Sequence, residues 1–370
     1  MKKYMFPSRL HLIPRFGNGG AEKTLLNLIR NIELPGMVCC SGGDGVHELD
    51  QNGIQWFQVP FFPSTPVNFV RSALSLWRIV LQHKIQLIHS HHRFTSLVGR
   101  MVAHSLRLPF VCTVHDFADG QKMLSRIAIG GNIIVHSQAV KLHLIERFGA
   151  KPGWIHVVPM GQLPVFNPTQ AQCVNLRQKS GCPIDSPLAI FVGRLTNEKG
   201  PDLFLQAIPL VLSRFPNARF WVVGDGELRL ELESMAGRLG ISSAVKFWGW
   251  QDDSSPWIGC SDLVVIPSRR EGFGKVALES LMLGKPVVAA QVGGLVELIQ
   301  HDLNGFLVPA EQPAAIAEKI IRLFGNHEET VRMSGRSRES VEGRFSQESM
   351  LEGVKAVYET AMAQQKRERL

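Results

Sequence analysis

Short strands and amphipathic helices alternate along both halves of this chain, and that alternation constrains the fold more than any other feature. Segments such as 9–14 (RLHLIP) and 188–193 (LAIFVG) are apolar at most positions. Strands of that kind are typical of parallel sheets that are buried on both faces, with helices as the crossovers. The pattern therefore predicts an α/β protein with two doubly wound domains.

The alternation lapses at a polar stretch near the middle of the chain. Residues 162–186 are rich in Pro, Gln, Asn and Ser, a composition typical of loops and domain boundaries. A length of 370 residues also favours two domains. We therefore expect a first domain at 1–165, a linker at 166–186 and a second domain at 187–345. Strands are predicted at 9–14, 37–41, 55–59, 86–90, 109–114, 131–136, 188–193, 218–223, 244–248, 262–267 and 286–290, and helices from about Ala21 and at about 67–84, 137–148, 200–214, 227–239, 274–284, 311–324, 327–337 and 346–365.

Composition excludes several classes of protein. Hydrophobic residues make up 45% and charged residues 19%, which indicates a globular chain and not a disordered one. No apolar run approaches the ~18 residues of a membrane-spanning helix, and Pro7, Arg9, His11 and Pro14 interrupt any signal-peptide core. The six cysteines form no C-x-x-C pair, so we expect free thiols in a reducing cytosol.

The formal net charge of +8 favours an anionic partner, which includes an anionic substrate, a membrane surface and nucleic acid. Nucleic acid is not expected, because the basic residues are scattered and no helix-turn-helix or RNP pattern occurs. The helix predicted at 67–84 fits either a membrane-surface helix or an ordinary packed helix. Its apolar stripe and basic flank consist of Val70, Leu74, Trp77, Leu81, Arg71, Arg78 and Lys84.

The segment 267–279 (PSRREGFGKVALE) carries the strongest chemical signal. Glu271 lies in the loop after a predicted strand, and Glu279 lies about one turn into the next helix. The Gly-rich turn between them exposes backbone N–H groups at a helix N-terminus, where anions bind. One connection can therefore offer carboxylates to hydroxyls and amides to an anion. The alternative is an ordinary strand–helix connection with a capping Glu.

A second signal lies at 192–200 (VGRLTNEKG), where Arg194 and Lys199 follow a predicted strand. Two cations beside a helix start suit a diphosphate, because Arg binds phosphate oxygens in pairs and Lys acts as a point charge. The alternative is a pair of solvated loop charges.

Two further groups of residues lie at predicted strand ends in the first domain. Gly19 and Gly20 belong to a Gly-rich turn, GNGGAEK, which allows a ligand close to the backbone but does not match a dinucleotide fingerprint. His115 follows a strand, at the position where α/β domains bind ligands. Further histidines are His89, His91, His92 and His136. We expect structural roles for these and no metal site, since adjacent loop histidines seldom share a metal ion.

Together these motifs resemble those of the retaining glycosyltransferases of family 4, which have the GT-B architecture of two facing Rossmann-like domains with a cleft between them. The matching segments are GGAEK near the N-terminus, TVHD at 113–116, VGRLTNEKG, VVGDGE at 222–227, and PSRREGFGKVALE followed by GKPVVAAQVGG. They occur in the family's order from about residue 9 to residue 309. The resemblance also implies that the C-terminal helix, within 346–370, packs back on the first domain.

The resemblance assigns roles to individual residues. Arg194 and Lys199 would bind the donor diphosphate, Glu279 the ribose hydroxyls and Glu271 the sugar hydroxyls. His115 would lie close to the sugar and the leaving phosphate. The turn and helix-start residues expected at the donor are Gly19, Gly20, Phe273, Gly274, Lys275 and Val276. A looser match places Gly249, Trp250 and Gln251 beside the nucleobase.

The implied function is retaining transfer of a hexose-type sugar from a nucleotide sugar, UDP-linked rather than GDP-linked. The implied acceptor is lipid-linked or a glycan, in the synthesis of cell-surface polysaccharide or lipopolysaccharide. No cofactor is expected. Because no D-x-D motif stands out, we expect metal-independent transfer, with Arg194 and Lys199 supplying the positive charge. The expected location is cytoplasmic, peripheral on the inner face of the cell membrane. The alternatives are a GT-B nucleotide-sugar epimerase and a non-catalytic nucleotide-sugar-binding protein.

Overall fold

The chain forms two compact units. The computed structural model describes residues 8–17, 19–32, 36–117, 128, 130–161, 165 and 167–369. The first unit runs to Gly161 and resumes at Gln347, and the second unit is Gln162–Ser346. Residues 1–7 and Leu370, which belong to the predicted first domain and C-terminal helix, lie outside the described ranges.

The segment 166–186, predicted to be a linker, includes a helix and belongs to the second unit. The helix Gln170–Ser180 starts at a capping box between Thr169 and Gln172, and it ends at Gly181 in the left-handed conformation. Such caps stabilise a helix whose surface is polar nearly all round. The polar composition therefore concealed a helix.

The first unit contains a parallel sheet with the strand order β3-β2-β1-β4-β5-β6-β7. Its strands are β1 (Arg9–Leu12), β2 (Gly36–Cys40), β3 (Trp56–Gln58), β4 (Leu87–Ser90), β5 (Phe110–Val114), β6 (Asn132–Val135) and β7 (Ile155–Val157). The helices between them are α1 (Gly20–Asn31), α2 (Val46–Gln51), α3 (Pro66–Gln82), α4 (Arg93–Ser105) and α5 (Gln138–Phe148).

The second unit contains a parallel sheet with the order β10-β9-β8-β11-β12-β13. Its strands are β8 (Leu188–Val192), β9 (Arg219–Val223), β10 (Val245–Gly249), β11 (Leu263–Ile266), β12 (Val287–Ala290) and β13 (Gly305–Val308). Its helices are α6 (Gln170–Ser180), α7 (Pro201–Leu212), α8 (Arg229–Arg238), α9 (Ser255–Gly259), α10 (Lys275–Met282), α11 (Leu295–Leu298), α12 (Pro313–Gly325) and α13 (His327–Val341). Within the described ranges of both units, no helix is long and apolar enough to span a membrane.

Both sheets have the strand order expected of doubly wound domains. The first strand of each unit lies in the middle: β1 pairs with β2 and β4, and β8 pairs with β9 and β11. The strand order reverses beside β1 and β8, so the loops that follow these strands diverge and leave a crevice. The prediction of an α/β fold with two doubly wound sheets is confirmed.

A long C-terminal helix, α14 (Gln347–Arg369), covers one face of the first sheet. Its apolar side chains, among them Val354 and Val357, pack in one cluster with Val111 and Ile134 of the sheet. The hydroxyl of Tyr358 is fully buried and lies 2.8 Å from His89 Nδ1. The helix thus supplies the second cover that a parallel sheet requires.

The expectation of six free thiols is wrong for one pair. Cys173 of α6 and Cys260, directly after α9, form a disulfide that links positions 87 residues apart. The pairing depends on α6 packing against α9, which no spacing in the sequence reveals. The free cysteines among the described residues, all buried, are Cys39, Cys40, Cys112 and Cys182.

Candidate functional site

The charged candidates of the second unit lie where its strand order reverses, between β8 and β11. Arg194 follows β8 by two residues, and Glu271 lies in the loop that follows β11. Parallel strands end at the same edge of a sheet, so these two loops are neighbours. Ligands of doubly wound domains bind at this edge.

Lys199 and Glu271 form a close ion pair at this edge. The Lys199 Nζ lies 2.9 Å from both carboxylate oxygens of Glu271, and Ser268 Oγ donates to Glu271 Oε2 at 3.0 Å. Both charged side chains are largely buried. An ammonium group has three N–H donors, so Lys199 can keep this contact and still donate to an anion.

Arg194 differs from Lys199 in having no such partner. Its side chain is exposed, and in the described parts of the chain it forms no ion pair or side-chain hydrogen bond. A guanidinium group offers five N–H donors in a planar arrangement that matches phosphate oxygens. Arg194 is therefore available for an anionic ligand at the end of β8.

Arg269 links the loop that follows β11 to the segment that follows β8. Its guanidinium donates to both carboxylate oxygens of Asp202, at 2.9 and 2.7 Å, and to Glu311 at 2.9 Å. Its backbone N–H also donates to the carbonyl of Glu198 at 2.8 Å. The hydrogen bonds to Asp202, above all, raise the pKa of Arg269 above its ordinary value, so this clamp stays charged.

The N-terminus of α10 completes the edge. Gly274, its N-cap, has φ +101°, which favours glycine, and no side chain caps the helix. The first backbone N–H groups of α10 therefore lack intrahelical partners and suit an anion. One turn later, Lys275 Nζ lies 3.4 Å from Glu279 Oε1. Phe273, just before the helix, is buried against Phe345.

The three residues predicted to lie beside a nucleobase follow or end the outermost strand of this sheet. Gly249 ends β10, and its carbonyl accepts from the N–H of Gly224 at 2.8 Å. The Trp250 indole is half-exposed and donates to Asp252 Oδ1 at 3.1 Å. Gln251 donates to the carbonyl of Trp248 at 3.2 Å. They lie at the carboxyl edge that also carries Arg194.

In the first unit, Gly19 and Gly20 lie at the start of α1. Gly19 is the N-cap, and a Cβ at that position would lie 2.6 Å from Glu22 Oε2. The carboxylate of Glu22 thus folds back over the first turn, where the helix dipole favours negative charge.

A cavity of about 390 Å³ lies at the carboxyl edge of the first sheet. The polar part of its lining comes from the ends of β4 and β5 and the start of α4. These polar lining residues are His91, His92, Arg93, Ser96, Thr113, His115 and Asp116. The volume falls in the range of small-molecule sites.

His115 is held in one tautomer by His136. His136 Nδ1 lies 2.9 Å from the carbonyl of Val158, so it donates, and Nε2 of the neutral ring is then an acceptor. That Nε2 lies 3.3 Å from His115 Nδ1, which therefore donates. His115 Nε2 is left as a buried acceptor with no hydrogen-bond partner among the described atoms. Burial, with a smaller contribution from His136, lowers the pKa of His115 to about 3, so its ring is neutral at neutral pH.

Three more histidines lie beside this pair and are the described residues that could hold a metal ion. The ligand atoms of His11, His89 and His91 lie within 4.8 Å of one another. However, both ring nitrogens of His89 are already hydrogen-bonded, to Tyr358 Oη and Thr113 Oγ1, each at 2.8 Å. Burial lowers the pKa of all three well below the ordinary range. The arrangement is that of a neutral core cluster, in which His11 Nδ1 lies 3.2 Å from His91 Nε2 and His91 Nδ1 has no hydrogen-bond partner among the described residues.

Comparison with known families gives a match for each unit. Residues 186–326 match the family described as Glycosyl transferases group 1, and residues 18–161 match Glycosyltransferase Family 4. The chain belongs to glycosyltransferase family 4. It is therefore a glycosyltransferase, as the motifs predict, and each matched region lies within one of the two units.

Relatives and solved structures agree with this assignment. The uncharacterized glycosyltransferase MJ1607 of Methanocaldococcus jannaschii is 30% identical over 298 residues, covering 75% of this chain and 76% of the relative. A D-inositol 3-phosphate glycosyltransferase of Acidothermus cellulolyticus is 32% identical over 311 residues, covering 76% and 68%. The structure of Anabaena HepE in complex with UDP and glucose has a TM-score of 0.85 at 24% identity, covering 95% of this chain and 99% of HepE. WaaG, a glycosyltransferase involved in lipopolysaccharide biosynthesis, has a TM-score of 0.76 at 17% identity, covering 94% and 98%. The fold is GT-B.

The structure brings together most of the residues that the family resemblance singled out in the second unit. Arg194, Lys199 and Glu271 share one sheet edge with the start of α10. Reasoning from sequence missed the residues that position them. Ser268 and Arg269 lay inside the quoted motif without a role. Gly294, whose backbone N–H donates to the carbonyl of Glu271 at 2.9 Å, was visible only as part of a Gly-Gly pair after a strand.

Proposed function

We propose that this family 4 enzyme transfers a hexose-type sugar from a UDP-sugar with retention of anomeric configuration. The observation that carries the proposal is the arrangement at the β8–β11 edge. An available guanidinium, a buried ammonium–carboxylate pair and a free helix N-terminus lie together there. That set suits a diphosphate joined to a hydroxyl-rich sugar.

Each group has a distinct task in the proposal. Arg194, Lys199 and the first N–H groups of α10, at Lys275 and Val276, stabilise the charge of the departing diphosphate. Glu271, oriented by Lys199 and Ser268, accepts hydrogen bonds from sugar hydroxyls, and the backbone of Phe273 and Gly274 contacts the sugar hydroxyls as well. Glu279 receives the ribose hydroxyls, and residues 249–251 border the uracil ring. The resemblance also assigns Gly19 and Gly20 to the donor.

The reaction is a displacement at the anomeric carbon. The bond from C1 to the diphosphate oxygen breaks, and its electron pair leaves with the diphosphate. The acceptor hydroxyl attacks C1 from the same face, and its proton passes to the departing phosphate oxygen. Positive character grows on C1 while negative charge grows on the diphosphate. Fixed cations and helix amides stabilise the negative charge that grows on the diphosphate. The proposal therefore needs no metal ion.

His115 serves the proposed reaction as a hydrogen-bond acceptor. Its neutral ring, with Nδ1 donating to His136, leaves Nε2 to accept. A neutral acceptor suits a sugar or acceptor hydroxyl better than a phosphate oxygen, which offers no proton. His115 would therefore orient a hydroxyl group, which the family resemblance assigns to the sugar or the acceptor.

The proposed acceptor is a lipid-linked or glycan hydroxyl in cell-surface polysaccharide synthesis. A second candidate is a phosphorylated polyol. The D-inositol 3-phosphate glycosyltransferases among the relatives favour it, and Arg93 lines the first-unit cavity. Turnover of UDP-sugar with inositol phosphate, but not with lipid-linked glycans, would select the second candidate.

Calorimetric binding of UDP-hexoses and GDP-hexoses, with a chelator present, tests the donor proposal. The wild type should bind a UDP-hexose, and Arg194→Ala should weaken binding by about 10- to 100-fold, the loss expected for a charge-assisted contact. Arg214→Ala is the matched control, because Arg214 is an exposed arginine that follows the C-terminal end of α7. Equal binding by both variants would overturn the proposed role of Arg194.

Product analysis separates the proposal from its alternatives. Nuclear magnetic resonance of the product should show a new glycosidic bond with the donor's anomeric configuration. An inverted product would refute retention. Conversion of the donor to its epimer without acceptor would identify an epimerase, and binding without any turnover would identify a sensor.

A further inference from the structure

The solvent-facing side of α3 carries a continuous apolar stripe. Five large side chains recur at intervals of three and four residues and stay exposed, although the opposite side of α3 is buried in the core. The stripe consists of Val67 (64% exposed), Val70 (57%), Leu74 (57%), Trp77 (45%) and Leu81 (50%). The buried side consists of Ser72, Ala73, Leu76 and Val80. At 1.5 Å per residue the stripe is about 21 Å long. Isolated exposed apolar residues are common, but a continuous stripe marks a binding surface.

Basic side chains border this stripe. At about 100° per residue, the five stripe residues span roughly 80° of the helix, and Arg71 and Arg78 follow directly on one side. Both arginines are exposed, as is Lys84 just beyond the helix. At the other end, Phe62 is exposed, and the guanidinium of Arg15 lies 5.7 Å from its ring centre. Apolar and cationic groups thus share one surface.

The chain segment that contains α3 carries charged side chains of one sign only. Residues 51–115 contain six Lys or Arg residues and no Asp or Glu. The first unit therefore presents a long segment with no acidic group, on which α3 lies near the middle. A partner for this surface should be anionic as well as apolar.

We propose that the stripe of α3 docks the protein on an anionic lipid bilayer. The apolar side chains would enter the boundary between headgroups and acyl chains, with Trp77 at the interface, where tryptophan is favoured. Arg71, Arg78 and Lys84 would contact lipid phosphates, which attract basic segments. The inference goes beyond the proposed function, because it does not depend on which sugar or acceptor the enzyme uses.

A second copy of the chain is the other occupant with a matching pattern, since the spacing of the stripe is that of a coiled-coil seam. An antiparallel pair of such helices would bring their Arg71 and Arg78 rows together. A parallel pair would require the opposite flank, at Ala73 and Val80, which is buried in the core. No acidic residue within 51–115 is available to pair with the arginines. Like charges at a seam oppose association, so the charge pattern favours lipid over self-association.

Flotation with vesicles tests the proposal on the full chain. Vesicles of phosphatidylcholine and phosphatidylglycerol in equal parts should carry the wild type upward, and pure phosphatidylcholine should carry much less. High salt should weaken the binding, because it screens the charges. The variant Leu74→Ser/Trp77→Ser should bind at least about tenfold more weakly, since it removes two of the inserted side chains.

The matched control is Leu142→Ser/Leu230→Ser, which removes two exposed leucines outside the stripe. It should float like the wild type.

Unchanged thermal unfolding of the stripe variant shows that the fold is intact, because its buried side is untouched. Wild type that stays in solution with anionic vesicles, or a stripe variant that floats equally well, overturns the proposal. A dimer in light scattering that the stripe variant abolishes, without vesicle binding, would assign the stripe to a second copy. UDP-hexose binding by the stripe variant should stay intact. A negative flotation result would therefore refute the membrane proposal without bearing on the donor proposal.

Discussion

Gly294 provides a direct test of how the second unit holds its proposed donor site. Its backbone N–H donates to the carbonyl of Glu271 at 2.9 Å, and its φ is −69°, which any residue can adopt. The obstacle to alanine at this position is therefore steric and not conformational. A Cβ there would lie 2.6 Å from both Phe273 Cα and Phe273 O, and 2.7 Å from Gly272 O.

The size of the effect follows from these distances. Ordinary contact begins near 3.4 Å, so Gly294→Ala must displace the 271–274 turn by about 0.8 Å, the difference between 3.4 and 2.6 Å. Displacements of about 1 Å at a reacting centre can cost about 100-fold in rate. Overpacking of this kind typically costs about 1–3 kcal/mol of stability. We expect turnover of the UDP-sugar to fall about 10- to 100-fold, with stability lowered within that range.

The assay is donor turnover together with urea unfolding of each variant. Gly335→Ala is the control, because a Cβ at Gly335, inside α13, meets nothing within 4 Å. Alanine in a helix interior stabilises by about 0.5–1 kcal/mol relative to glycine, so this variant should keep full turnover and gain stability. If folded Gly294→Ala turns over donor at the wild-type rate, the turn does not position Glu271 and the reasoning is refuted.

Three further predictions concern stability. Tyr358→Phe removes the buried hydroxyl that lies 2.8 Å from His89 Nδ1 and should lower the free energy of unfolding by about 1–3 kcal/mol; an unchanged urea midpoint would show that the bond contributes nothing. Burial lowers the pKa of His115 to about 3. Below about pH 6.5 the unfolded chain therefore binds a proton at this histidine, whereas the folded protein does not bind it until the pH approaches 3. Stability is thus fully present above pH 6.5 and should fall from there toward pH 3 by about 1.4 kcal/mol per pH unit for this histidine; a flat series of urea midpoints over that range would contradict it. Reduction of the Cys173–Cys260 disulfide, which closes a loop of 87 residues, should cost about 2–4 kcal/mol, and Cys173→Ser/Cys260→Ser should unfold at the same urea concentration with and without reductant.

The two sheets were predictable because their strands are buried on both faces. Burial makes a parallel strand apolar along its whole length, and the eleven predicted strands all overlap observed ones. Strands β7 and β13 were not among the predicted strands, since Ile155–Val157 and Gly305–Val308 are only three and four residues long. Helix α6 was missed because its stability comes from its caps and from the disulfide, and not from an apolar face.

The site was predictable in its residues but not in its contacts. Spacing placed Arg194 and Lys199 after one strand and Glu271 after another. That Lys199 and Glu271 form an ion pair depends on β8 lying beside β11, and strand order is a property of the whole sheet. In the same way, His11 and His89 are cross-strand partners between β1 and β4. Considered singly, neither histidine indicates the cluster.

The position of α14 in the chain has a consequence for how the protein is made. The first sheet needs this helix as its cover, yet about 185 residues of the second unit separate Gly161 from Gln347. At typical rates of synthesis, of about 5–20 residues per second, roughly 10–40 s pass between synthesis of the first sheet and synthesis of α14, and the sheet stays uncovered for that time. During that interval the second unit emerges as one continuous segment and can fold completely. A fragment that ends at Gly161 would expose Val111, Ile134 and their neighbours permanently, whereas residues 162–346 have their own core. The nascent first unit therefore depends on protection from aggregation more than the second unit does, although it emerges from the ribosome earlier.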